Sequence, residues 1–511
     1  DNNPDTPASG DSIFANPASG GRPVIDPPAA STAAFYVKNA SVNVYGFDIK
    51  PTVQSVQFGV YSSSGYVRVS SVNVDGAALV WGAGVAVSSW STVSFTSVSI
   101  KAANTAGYLL VGSTMTAVLR STAAIDNASA IGVYLLGASS NTFTDFYARN
   151  LTGPVFQLDA GSDRNSIYQS TITGEAAGFG ALHIDAASSN TVMSSYIDGG
   201  AGVALNLQPN ARFTTIAFSD IVNNAASWAA SNFQGATSNT VTDSTIFNPS
   251  NNAVYIQAGA HANFFQRSTI TVNVDFAAFY VTASASTTLS GSYVQNLAGH
   301  GVFFDAGAVH GRVMGSTVVV TMAARNALHL LGASSNTVTT SVLRNTLGNA
   351  VNINTASNAN TVSGSSVTAL AGGACAVALS GSSSNTIATS YLYGAGAALC
   401  LSAGAVRGTV SVSTLTSPND ALTVTGSSSN TFTGSWIWGG GDGARFDGGS
   451  SGNTVRLSTV IGATGYGLTI AQSTSNWVYG SYVQGSTAAF ITGSTATVIG
   501  GTVLVATNTF G

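Results

Sequence analysis

One phrase, Asn-Thr-Val-x-x-Ser-x-Ile, returns along this chain about every 24 residues. Asn141-Thr142-Phe143, Asn190-Thr191-Val192, Asn239-Thr240-Val241, Asn336-Thr337-Val338 and Asn385-Thr386-Ile387 are instances. A fixed period of this length marks a repeat architecture, in which each unit buries its apolar face only against its neighbours. The Asn slot can be followed from Ala40 to Ala496. Asn fills it at Asn141, Asn165, Asn190, Asn239, Asn263, Asn336, Asn360, Asn385, Asn430, Asn453 and Asn476. An apolar residue stands two positions on, a Ser five on, and an apolar residue again seven on, as in Ile167, Ser170 and Ile172. Apolar residues also precede the slot in alternation, as in Leu182-His183-Ile184 and Leu468-Thr469-Ile470. Period-two alternation is the mark of a strand with one buried face. No apolar stripe of helical period accompanies it.

Three short strands in a coil of about 24 residues stack into a parallel β-helix that rises by about 4.8 Å per coil. The sequence therefore predicts an all-β fold: a single right-handed parallel β-helix (solenoid) of about 20 coils over residues 35–511. The Asn slot is expected to form a ladder of side-chain amides from coil to coil. The Ser is expected at a tight corner, bonded to backbone.

Residues 1–34 differ. They hold six of the 11 prolines and repeat Pro-Ala-Ser-Gly. They read as an extended Pro/Gly-rich N-terminal arm with apolar points at Ile13, Phe14, Val24 and Ile25. The arm either caps the first coil or docks on a second copy. At the other end Val498, Val503 and Val505 still alternate in coil style, with no polar cap after them. The start at Asp1 reads as a removed leader or a fragment.

Charged residues make up only 7% of the chain and the net charge is −4. No basic patch suits nucleic acid. No apolar run reaches the length of a membrane span. A nearly uncharged surface lacks the repulsion that keeps proteins apart.

The coils, with Gly-Ala-Ser-Ser before the Asn as at 137–141 and 332–336, resemble right-handed parallel β-helix repeat proteins of the pectin-lyase-like superfamily, of the repetitive bacterial surface and secreted type. The resemblance implies the fold and an extracellular setting. It implies no single activity, because that superfamily spans lyases, hydrolases, epimerases, tailspikes, adhesins and structural proteins.

Site residues are few. Asp159 and Asp185 fall in adjacent coils near Asp163, Arg164 and His183. They are the best carboxylate pair for glycoside chemistry, but Asp also stabilises turns at such places. No catalytic residue is assigned on that basis. The five histidines show no ligand spacing, so no metal or cofactor is expected. Cys375 and Cys400 lie one coil apart, yet the register sets Cys400 beside Ala378, which leaves their pairing open. One slot after the Ser, Tyr147, Tyr196, Tyr293, Tyr391, Trp436 and Tyr482 form an outward aromatic stripe, a possible ligand face for polysaccharide. Taken together, the sequence predicts a non-enzymatic extracellular structural protein. It would assemble with itself head to tail into a filament through the arm and the coil-like end at Val498, Val503 and Val505. A carbohydrate-binding adhesin or tailspike-like protein is the alternative, and a polysaccharide lyase or hydrolase comes third.

Overall fold

The structure, a computed structural model, describes residues 12–15, 21–28, 31–38, 40–52, 56–63, 65–76, 80–88, 92–101 and 103–507. Among them every regular element is a strand, and no helix occurs. The chain divides into two units, Asp1–Tyr255 and Ile256–Gly511. In each, strands come in triplets, and each strand pairs in parallel with the equivalent strand of the next coil. One coil of the first unit shows the pattern: Thr191–Met193 on face 1, Tyr196–Asp198 on face 2, Val203–Leu207 on face 3. The next coil repeats each in register, with Val192 beside Ile216 and Ile197 beside Ile221.

The period follows from what points inward. Val192, Ile197, Leu205 and Leu207 are each no more than 1% exposed. Their columns of like residues are the core of the coil stack. Each strand is only a few residues long because the backbone must turn, and the turns recur at fixed slots. Ser189 and Ser194 hold positive φ of 58° and 52°, placing a left-handed residue before the Asn and Ser slots of that coil. The same two bends recur at Ser335 and Thr340 in the second unit.

Both polar slots form ladders. The Asn141 amide N–H and Nδ2 donate to Asn165 Oδ1 at 2.9 and 3.0 Å, and Asn165 repeats this toward Asn190 at 2.9 and 3.2 Å. Asn336, Asn360 and Asn385 form a second run, and Asn430, Asn453 and Asn476 a third. All of the slot asparagines, Asn239 and Asn263 included, are at most 3% exposed. The second amide proton turns back to the previous coil, as from Asn360 Nδ2 to the Ala333 carbonyl at 2.9 Å. Where the slot is not Asn the ladder stops: Asn190 Nδ2 and Thr214 Oγ1 are buried without partners. The serines run further. In the second unit Ser365 N–H donates to Ser390 Oγ, Ser390 to Ser413, Ser413 to Ser435, and on to Ser481, each at 3.2 Å. Each Oγ in turn donates to the carbonyl two residues back, as Ser390 does to Ala388 at 2.8 Å.

A third polar column escaped the sequence reading. Asn150, Asn223, Asn248, Asn296 and Asn345 close the bend from face 2 to face 3 and are fully buried. Asn150 Oδ1 accepts the N–H groups of Thr152 and Gly153, while Nδ2 reaches the Ala130 carbonyl at 2.7 Å.

The N-terminal segment is seated on its own chain. Ser12–Phe14 pairs in parallel with face 1 of the next coil, Ile13 beside Val44, and Val24–Ile25 pairs with Asp48–Ile49 of face 2. The strand Ala33–Val37 then joins face 3, running across the expected boundary at 34/35. Cys375 and Cys400 are joined in a disulfide with Cα atoms 6.1 Å apart. The register is the expected one, Ala378 beside Cys400. What closes the distance is a kink: Ala376 and Val377 both point inward, which a straight strand forbids. Cys375 sits beside Ala397, three residues before Cys400, and the disulfide spans that offset.

Candidate functional site

The outward stripe occupies the first position of face 2, immediately after the ladder serine. The Ser corner fixes which residue emerges first, so the alternation out, in, out, in starts at the same phase in each coil. In the second unit this column runs, rung by rung, Thr269, Tyr293, Thr317, Val342, Ser366, Tyr391, Thr414, Trp436, Thr459, Tyr482, Val503. From Tyr391 to Tyr482 an aromatic ring occupies every second rung and a threonine the rung between. Two rungs span about 9.6 Å. Tyr391 and Trp436 are 45% and 46% exposed, too open for a folding role. The parallel column two residues on adds Tyr393, Thr416 and Trp438, half-buried between the rungs' outer groups. The rings are held in place: Thr416 Oγ1 donates to Tyr391 Oη at 3.3 Å, and Tyr482 Oη donates to Gln484 Oε1 at 2.8 Å.

The first unit has the same column in another chemical setting. Tyr147, Thr171, Tyr196 and Asp220 follow one another. Tyr196 donates to Asp198 at 3.3 Å, and its hydroxyl pKa is raised by burial first and by Asp198 and Asp220 after it. Arg149 and Glu175 flank this stretch. The stripe therefore lies in a charged setting around Tyr196 in the first unit and an uncharged one from Tyr391 to Tyr482 in the second, while Arg267 reaches the corner beside Tyr293.

Two of the carboxylates named from sequence, Asp159 and Asp163, are engaged locally. Asp159 accepts Tyr134 Oη and Gln157 Nε2, both at 2.8 Å. Asp163 accepts the N–H and Oγ of Ser188 in the next coil at 2.6 and 2.8 Å. Asp185 N–H bonds the Leu158 carbonyl, which places Asp185 one rung from Asp159. His183 meets Asn206 Nδ2 at 3.2 Å, and burial holds its pKa below the ordinary value.

Sequence spacing missed a cluster in the second unit. On face 3, Tyr280, Phe303 and His329 are rung neighbours. The His329 ring stacks on Phe303 at 4.7 Å, and His300 reaches in from the preceding bend to 4.6 Å from His329. Tyr280 donates to Asp305 at 2.6 Å, and Arg325 grips Asp275 through two nitrogens. Burial pushes the His300 pKa down to about 3, helped by His329 and Arg325. Burial likewise pushes His329 down to about 4, against the pull of Asp305. His300 Nδ1 accepts the Asn326 N–H at 3.1 Å, as a neutral imidazole does. The signal was invisible because His300 lies in a bend outside the repeat's strand slots. Among the described residues no group of three or more His, Cys, Asp or Glu could hold a metal ion. Nor is any helix there long and apolar enough to cross a membrane.

At the chain's end, Val498–Gly500 and Val503–Ala506 pair with the preceding coil, leaving Val498 and Val503 46% and 58% exposed and Val505 half-buried.

The parallel triplets in register find their match in a family described as the right handed beta helix region, which covers residues 180–347 and 349–510, more than half of the chain. The chain belongs to the right-handed β-helix family. No curated protein matches its sequence. Among solved structures it is similar to a mutant DFA-IIIase from Arthrobacter chlorophenolicus A6, at 10% identity and TM-score 0.38, over 60% of this chain and 84% of that one. It is also similar to a PL6 family alginate lyase mutant, at 10% identity and TM-score 0.30, over 97% and 95%. The Dettilon tailspike protein follows at 9% identity and TM-score 0.27, over 64% and 60%. Likeness at this level is one of fold. The sequence-based expectation of a non-enzymatic filament protein is corrected here: the three similar structures are described as two enzymes and a tailspike. Neither the filament nor the exclusion of enzymatic activity is retained.

Proposed function

We propose that this right-handed β-helix protein binds carbohydrate, as a secreted adhesin or tailspike-like protein does, along face 2 of its second unit. The observation that carries the reading is the column Tyr391, Trp436 and Tyr482, rings on alternate rungs of which the first two are exposed and the third half-buried. Aromatic rings that stand on a strand face outside the core at a fixed spacing suit the stacking of sugar rings. Equilibrium binding to an immobilised polysaccharide panel tests it. Trp436→Ala with Tyr391→Ala is expected to abolish retention while the unfolding transition stays in place. Retention unchanged by both substitutions would refute the reading.

A second reading, polysaccharide cleavage, has an observation of its own in the His300–His329 cluster. Imidazoles kept neutral beside a Tyr–Asp pair and an Arg–Asp pair are groups able to take up and deliver protons. New reducing ends released from the same panel, and lost in His329→Ala, are its test. A panel left intact by the unaltered protein removes it.

A further inference from the structure

The bends that flank the aromatic column carry a second pattern. The residue before each ladder serine has positive φ. Along the rungs it is Thr389, Val412, Gly434, Leu457 and Gly480, with φ of 49°, 49°, 57°, 50° and 58°. The two largest of these side chains sit on the rungs whose column residue is threonine, Val412 with Thr414 and Leu457 with Thr459. The glycines sit on rungs whose column residue is aromatic, Gly434 with Trp436 and Gly480 with Tyr482. A Cβ on Gly480 would meet Leu457 Cδ2 at 3.1 Å, and one on Gly434 would meet Val412 Cγ2 at 3.8 Å. The aliphatic side chains thus lean over the bare corners of the next rung.

Folding does not select these aliphatics. A β-branched or bulky residue at positive φ is strained, and Val412 and Leu457 are 65% and 66% exposed, so burial does not compensate. The bend imposes positive φ on rung after rung, at Gln169, Ser194 and Thr340 as at Val412 and Leu457, so what asks for a reason here is the exposed aliphatic side chain. Corner and column together give the surface a repeat of two rungs, one aromatic and one aliphatic, about 9.6 Å long. From Tyr391 to Tyr482 neither outward column holds a charged side chain.

Resting on the carbohydrate reading above, we infer that the ligand of this face is a neutral, extended polysaccharide of two-fold repeat, lying along the stack with one disaccharide per two rungs. In such a chain alternate sugars turn the same face to the protein. One sugar of each pair then stacks on Tyr391, Trp436 or Tyr482, and the next lies on Val412 or Leu457. The two columns offer no charge to a polyanion, Arg456 standing before the corner on face 1, and a coiled glucan cannot follow a straight column.

Calorimetric titration of the full chain with cellohexaose, chitohexaose, maltohexaose and a hexameric oligogalacturonate tests this. Cellohexaose or chitohexaose is expected to bind. Val412→Ser with Leu457→Ser is expected to weaken that binding about tenfold, as loss of two apolar contacts does, with thermal unfolding unchanged or raised. Gly434→Ala, which fills a bare corner, serves as a second variant and is also expected to weaken binding. Preference for maltohexaose or the oligogalacturonate, lost in Trp436→Ala, would overturn the two-fold neutral class and leave the carbohydrate reading standing. Cellohexaose binding indifferent to the Val412 and Leu457 changes would overturn the role of the corners. Binding of no glycan at all, or a shift in oligomeric state as the sole effect of the substitutions, would overturn both readings.

Discussion

Filling the gap in the Asn ladder of the first unit should stabilise it. At Thr214 the slot between Asn190 and Asn239 holds a hydroxyl instead of an amide. Thr214 N–H still donates to Asn239 Oδ1 at 2.9 Å, so the backbone there already has ladder geometry. What is missing is side-chain: Asn190 Nδ2 has no acceptor and Thr214 Oγ1 no partner, both buried. Thr214→Asn would place an Oδ1 where Asn190 Nδ2 points and an Nδ2 beside Asn239 Oδ1, the arrangement seen between Asn141 and Asn165. Each orphaned buried group costs about 1–3 kcal/mol, and each hydrogen bond made contributes about 1 kcal/mol net. Repacking of a slightly different side chain offsets part of this, leaving a gain of about 2 kcal/mol. For a unit of this size that is about 4–8 °C in unfolding midpoint. Because repeat stacks unfold by neighbouring groups of coils, hydrogen exchange at the Asn165, Asn190 and Thr214 amides is the sharper assay. Those amides should slow together, while amides of the second unit stay unchanged. The opposite change, Asn360→Ala, removes bonds to Asn336, Asn385 and Ala333 at once, and about 3 kcal/mol should be lost. A Thr214→Asn protein no more stable than the parent would refute the claim that the amide ladder, and not mere burial of a small polar group, stabilises the stack.

Other expectations follow from the same geometry. Ile437→Ala, at a fully buried rung of face 2, should cost about 2–5 kcal/mol by denaturant midpoint. Cys375→Ser opens a loop of 25 residues, and about 3 kcal/mol should be lost from the second unit, measured as the difference in unfolding midpoint with and without reductant in the parent. His300 and His329 titrate near 6.5 when unfolded, but at about 3 and about 4 when folded. The unfolded chain therefore binds protons that the folded one refuses. Stability is full above about pH 6.5 and falls as pH drops toward 3–4. His329→Phe should flatten that slope, and a unit whose midpoint is level between pH 7 and pH 4 would refute it.

The fold was legible because its two strongest constraints repeat. An amide at one slot and apolar residues at fixed offsets are enough to predict stacking, since each coil can satisfy them only against its neighbour. The continuous Ser ladder was half legible: the corner could be read from Ser390 or Ser413, but not that each Oγ also accepts the N–H of the preceding rung. Asn150 and Asn296 were missed because their column, nine residues past the slot, is broken by Gly174 and Gly394, so no phrase advertises it. The disulfide and the His300–His329 contact were hidden by the path of the backbone between slots. The disulfide depends on the inward pair Ala376–Val377, a doubling that recurs at Ala350–Val351 and Ala398–Leu399, and the histidine contact on a bend of uneven length before face 3. A register counted in residues sees neither. The N-terminal strands were obscured by proline, which disguises a strand whose free edge needs no donor. The stripe itself was legible as residues; its meaning rests on the corners beside it, which only the backbone angles reveal.

The pairing of rungs on face 2 sets a parity rule for how this chain can change. Coils of such a stack are nearly interchangeable, and one can be lost or duplicated without disturbing the ladders above and below it. Removing a single coil between Trp436 and Tyr482 would leave a well-formed β-helix with its rings on neighbouring rungs, out of step with any ligand that counts in twos. Removing two coils would keep the beat. On this face, then, length is free to drift only by even steps, although the architecture beneath tolerates every step equally.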